Sequence, residues 1–213
     1  MTGTRRGGRR SWPLSNPAVR RSVLCGQLKL FAAIASGLCL VPCVSRAGVL
    51  NLATLTCKKY ENEVLPAAAS STSADTLDTV MWLLGYSVAK TGAHVMYSGA
   101  LAPFGFALDN ECKSNPAENM LEALKAVKSE SKNPMDLASV ECSSFASRHV
   151  EFARTDAESA KTVMMWLFGF AVARSGGHLF EADSLHTFET ALLADCAKHP
   201  AASLFDRLTT IKY

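Results

Sequence analysis

The tightest constraint on this chain is that most of it occurs twice. Leu50-Asn51-Leu52-Ala53-Thr54-Leu55-Thr56-Cys57 returns as Met135-Asp136-Leu137-Ala138-Ser139-Val140-Glu141-Cys142. Val80-Met81-Trp82-Leu83-Leu84-Gly85-Tyr86 returns as Met164-Met165-Trp166-Leu167-Phe168-Gly169-Phe170. Gly92 and His94 return as Gly176 and His178; Phe104, Leu108, Cys112 and Pro116 return as Phe188, Leu192, Cys196 and Pro200. So many matches in one register mark two copies of one structural unit. The copies run over residues 48–130 and 135–213. Residues 131–134 link them, at the end of the polar stretch Lys128-Ser129-Glu130-Ser131-Lys132-Asn133-Pro134, which closes on a helix breaker.

Each copy reads as helical, so the expected fold class is all-α, with two tandem small domains. In the first copy Asp75 suits an N-cap and Gly92 a C-cap. Between them Leu77, Val80, Met81, Leu84 and Val88 share one apolar helix face, and Trp82, Tyr86 and Ala89 form a second. The second copy repeats both faces, with Met164, Met165, Phe168 and Val172, then Trp166, Phe170 and Ala173. A helix that is apolar on two sides must be covered on two sides. A cysteine-bearing helix follows (104–114; 185–198), then a short last helix with Pro116 or Pro200 at its start. No alternating β pattern persists.

Residues 1–47 have the composition of an export leader. They carry Arg5, Arg6, Arg9, Arg10, Arg20, Arg21, Lys29 and Arg46 and no acidic residue. The apolar run from Leu30 to Val41 is short for a bilayer span, and Ser45-Arg46-Ala47 provides small residues for a cut before Gly48. Cleavage would leave no stable membrane insertion. The whole chain holds 22 Lys and Arg against 19 Asp and Glu. The leader takes 8 of the bases and none of the acids, so 14 bases face 19 acids after it, a net charge of −5. The apparent basicity belongs to the leader and gives no reason to expect nucleic acid as a partner.

Four cysteines follow the leader: Cys57, Cys112, Cys142 and Cys196. An even number in an exported chain points to disulfides. Equivalent copies should form equivalent bonds, Cys57–Cys112 and Cys142–Cys196. Each closes a loop of about 55 residues, worth roughly 4 kcal/mol in the chain-entropy model.

Catalytic and cofactor motifs are missing. There is no metalloprotease, P-loop or dinucleotide signature, no C-x-x-C spacing after the leader to grip a metal, and no sign of a cofactor. Gly85-Tyr86-Ser87-Val88-Ala89 falls one residue short of a nucleophile elbow, which needs a strand-to-helix turn. Ser87 stands inside a helical pattern, and its counterpart is Ala171, so it reads as a packing residue. Of the five histidines only His94 and His178 correspond. Both follow the long helix, and they are the candidates for a pH-sensing role.

With these residues in view, both copies resemble the HdeA/HdeB family of periplasmic acid-stress chaperones, more closely on the HdeB side. The resemblance runs from Thr56-Cys57 and Tyr60 through the Trp82 helix to Glu111-Cys112-Lys113 and Asn115-Pro116. In the second copy it runs from Glu141-Cys142 and Phe145 through Trp166 to Asp195-Cys196 and Pro200. It implies a small helical fold, one disulfide per domain, no ATP or metal, and an apolar client-binding surface exposed in acid. Trp82, Tyr86, Trp166 and Phe170 would supply that surface. The partners implied are unfolded or acid-denatured proteins, with the two repeats paired as an internal pseudo-dimer or as a homodimer. The chain departs from the family in having two domains and in the pairs Gly85-Tyr86 and Gly169-Phe170. The G-Y/F helix also resembles that of Tai-type periplasmic immunity proteins, so a module that binds one toxin is the alternative expectation. Charge is compatible with acid activation. Protonating 19 carboxylates and charging 5 histidines takes the exported part from −5 to +19 at full protonation. Like-charge repulsion then opposes compact contacts.

Overall fold

The computed structural model describes residues 49–66, 73–97, 99–127, 134–181 and 183–211. The expected leader and most of the expected linker lie outside the described residues. From Val44 to Tyr213 the chain forms one compact unit. It is mostly helical. In chain order the elements are β1 (Leu50–Asn51), α1 (Cys57–Lys59, running into a π-helical turn, Tyr60–Val64), α2 (Ser73–Lys90), β2 (Val95–Tyr97), α3 (Leu101–Ser114) and α4 (Met120–Ala126). The second half repeats the order: β3 (Pro134–Asp136) and a 3-10 turn (Leu137–Ser139), α5 (Cys142–Thr155), α6 (Ala157–Arg174), β4 (Leu179–Phe180), α7 (Ser184–Lys198) and α8 (Leu204–Thr210).

The repeat is visible in individual hydrogen bonds. Cys57 N donates to the Glu118 carbonyl and Lys58 N to that of Pro116; Cys142 N donates to Ala202 and Ser143 N to Pro200. Met120 N donates to Leu55 and Leu204 N to Val140. In each half these bonds tie the first helix to the start of the last. The disulfides Cys57–Cys112 and Cys142–Cys196 join first helix to third, with Cα atoms 4.7 and 4.9 Å apart. All four of these cysteines are buried, and two disulfides fit an oxidising compartment. Among the described residues no helix is long and apolar enough to cross a membrane.

Three local expectations need correction. The all-α expectation missed four strands, each too short to print an alternating pattern on the sequence. They form two antiparallel ribbons, β1 with β4 and β2 with β3. Asp75 does not cap α2, because the helix already begins at Ser73. Pro116 and Pro200 do not begin the last helices. They stand four residues earlier, and the caps are Asn119, which accepts from Leu121 N at 2.8 Å, and Ser203, which accepts from Asp206 N at 3.1 Å. Gly92 does end its helix as expected. Gly92 and Gly176 adopt φ of +78° and +79°, the left-handed position just past a helix end that glycine occupies without strain.

Candidate functional site

Among the described residues, helices α2 and α6 make the most extensive contact, and they meet at their glycines. A Cβ on Gly85 would fall inside the carbonyl group of Trp166; one on Gly169 would fall inside that of Trp82. Only a residue without a side chain lets two helix backbones approach this closely. The mid-helix glycines, which weaken an isolated helix, are thereby accounted for.

Both ribbons cross the same boundary. Leu50 pairs with Phe180 and Asn51 with Leu179; Met135 pairs with Met96 and Asp136 with Val95. Leu52 N donates to the His178 carbonyl, and Leu137 N to that of His94, each at 2.9 Å. Thus the first strand of each half lies against the strand that follows the long helix of the other. The halves clasp each other along a seam with approximate twofold symmetry.

The four aromatic residues named from the sequence stand on the two helices that form this seam; Trp82 and Tyr86 reach across it, and Trp166 and Phe170 meet it through their backbone at Gly85. Trp82, Tyr86, Trp166 and Phe170 are each 0 % exposed. Trp82 lies against Tyr86 (5.4 Å between ring centroids) and, across the boundary, against Phe180 (5.0 Å); Trp166 stacks on Phe170 at 5.4 Å. In the closed state none of the four forms an open surface. The indole N–H groups of both tryptophans are buried, and neither finds a hydrogen-bond partner among the described residues.

Polar groups rim the apolar centre. The Tyr86 hydroxyl donates to the Gly177 carbonyl at 3.1 Å and lies 2.7 Å from His178 Nδ1, both in the other half. Burial pushes the Tyr86 hydroxyl up to about 12. His94 Nε2 stands 3.5 Å from Asp136 Oδ1 across the second ribbon, and its ring contacts Phe205. The two histidines singled out from the sequence therefore both bridge the halves, through different partners. Asp78, only 4 % exposed, forms an ion pair with Lys161 of the facing helix.

Asp78–Lys161 and the glycine crossing were not assigned from the sequence. The available signal was a charged residue in each long helix where the other copy carries Thr162 or Leu77. A pair of the buried His149 and the half-buried Glu189, 2.6 Å apart between α5 and α7, also has no equivalent in the first half. Ser87 is buried in mid-helix and donates to the Leu124 carbonyl at 3.0 Å, a packing bond. No group of three His, Cys, Asp or Glu side chains comes together among the described residues.

The chain matches no family model, no curated protein and no solved structure. The geometry of the seam and the chemistry of its residues therefore carry the functional reading.

Proposed function

We propose that this protein is an exported, ATP-independent holdase of the periplasm, a tandem relative of the HdeA/HdeB acid-stress chaperones that needs no cofactor. One observation carries the reading: the aromatic residues of both copies are fully buried on the two long helices that meet in one seam between two disulfide-stapled halves. Opening the seam would uncover Trp82, Tyr86, Trp166 and Phe170 together, a contiguous apolar patch of the kind that captures unfolded chains. Each disulfide lies within one half, so each half would stay cross-linked while the seam parts.

Acid supplies the driving force. At neutral pH the exported part carries about −5, and full protonation brings it to +19. Repulsion between two cationic halves opposes the seam, and the same charge keeps a client complex soluble. Asp78 loses its attraction to Lys161 once it is protonated.

The test follows an aggregation-prone client by light scattering on acidification to about pH 2–3, within the range where carboxylates protonate. Oxidised residues 48–213 should suppress scattering in proportion to dose, and the client should refold on neutralisation. Absence of suppression at every pH from 7 to 2 would sink the proposal.

A second reading, a Tai-type binding module for one defined partner, is favoured by a different surface. Phe106 is 71 % exposed beside an open cavity of about 300 Å³ lined by Tyr60, Leu65, Val80 and Asp109. A tight complex at neutral pH, weakened by Phe106→Ala and indifferent to the seam, would select this reading.

A further inference from the structure

The backbone contacts of the seam are present twice. Gly85 sits on the Trp166 carbonyl and Gly169 on that of Trp82, and the two ribbons share one register. On backbone grounds alone, the first half of one chain would fit the first half of another as well as it fits its own second half. The side chains break this symmetry. Asp78 faces Lys161, whereas the equivalent positions hold Thr162 and Leu77. Tyr86 bonds to His178, whereas the equivalents are Phe170 and His94. His94 faces Asp136, whose equivalent is Asn51.

Like-with-like pairing would undo these matches. Two first halves would set each Asp78, buried in the seam, against Leu77. Two second halves would set each Lys161 against Thr162 and each His178 against Phe170, which has no hydroxyl. Asp78 is buried and loses the attraction of Lys161 in the first pairing, while Lys161, 39 % exposed, and His178 lose their specific partners in the second, so both pairings are disfavoured, the first more strongly.

We propose that Asp78 and Lys161 act as a pairing code, and that the occupant the seam accepts in place of its own half is the complementary half of a second copy of this chain. Two opened chains then close on each other into an exchanged dimer, with Asp78 of each chain on Lys161 of the other. Every seam contact is repeated, so the balance between closed monomer and exchanged dimer depends on chain concentration and on how the linker confines the halves. The inference rests on the seam opening, as the holdase reading does, but not on client binding.

The test uses the oxidised full chain carrying either Asp78→Lys or Lys161→Asp. Either variant alone sets two like charges face to face. Opened together in urea and returned to buffer, they restore attraction only by exchanging halves. Native mass spectrometry should find the mixed dimer in at least tenfold excess over either like dimer, and D78K/K161D should behave as the parent does. Folded single variants that give no mixed dimer, or mixed and like dimers in statistical proportion, would overturn the code. Should either variant not fold, unmodified chains with and without a ¹⁵N label are opened and closed together at rising concentration. Dimers of intermediate mass that form after opening and are absent when folded chains are mixed unopened support exchange; monomers alone at every concentration, or mixed dimers that form without opening, reject it. A chain that suppresses client aggregation yet never exchanges rejects this inference and leaves the holdase reading standing.

Discussion

At Gly85 a side chain has nowhere to go, because the Trp166 carbonyl and the Phe170 amide stand where its Cβ would be, and both are backbone. Gly85→Ala must push the helices apart. Overpacking of this kind costs about 1–3 kcal/mol, and the upper end is expected here because no flexible side chain can yield. Urea denaturation of residues 48–213 should show the loss for Gly85→Ala and Gly169→Ala alike. A loss below about 0.5 kcal/mol would mean that the helices do not meet at these residues. Tyr86 has a milder role. Removing its hydroxyl leaves the ring and breaks the link to His178, so Tyr86→Phe should destabilise by about 1 kcal/mol. Its raised pKa also sets an alkaline limit. The folded state holds the neutral phenol while the unfolded chain ionises near 10, so this stability is present below pH 10 and lost as pH rises towards about 12. Absorbance of tyrosinate should rise together with seam opening in that window, and Tyr86→Phe should remove the contribution.

Among the elements, the second half carries acid-sensitive joints. Arg207 of α8 donates twice to Asp195 of α7, and these hydrogen bonds hold the Asp195 carboxyl below its usual range. Asp156 caps α6 by accepting from Ser159, which lowers its pKa as well. The sign follows from the depressed values. The stability is fully present above the ordinary carboxylate pKa of 3.8 and lost as pH falls through the lower folded value. Asp195→Asn should cost about 1 kcal/mol at pH 7, given solvent screening, and should flatten the acid limb of a denaturation series between pH 4 and pH 2. Much at this scale was legible beforehand. The long helices, the cysteine-bearing helices and the disulfide pairing follow from apolar period and repeat register, which act over whole turns. The strands were not legible, because two or three residues cannot show a period and they form only against the other half. The caps at Asn119 and Ser203 were hidden by prolines that look like helix starts. Trp82, Tyr86, Trp166 and Phe170 were legible as a second apolar face, but what covers that face is a tertiary fact. So is the glycine crossing, since an isolated helix offers no reason for Gly85.

For the molecule as a whole, the repeat makes one chain out of two halves whose long helices pack against each other at their glycines. Each disulfide constrains the unfolded chain through a loop of 55 or 54 residues, so removing either should cost about 4 kcal/mol. Thermal unfolding of the paired Cys→Ala variants should show the losses separately, and client holding in acid should fail with either bond gone. The central claim is that the seam opens in acid and that its aromatic face takes the client. The sequence supplies its own reporter, because within residues 48–213 the only tryptophans are Trp82 and Trp166, both buried on the seam helices. The deciding measurement is acrylamide quenching of tryptophan fluorescence in oxidised residues 48–213, from pH 7 to pH 2.5, with and without an unfolding client that lacks tryptophan. The account predicts protected indoles at pH 7, exposed indoles in acid, and renewed protection when client is added in acid. Indoles that stay protected while the client is held would contradict it.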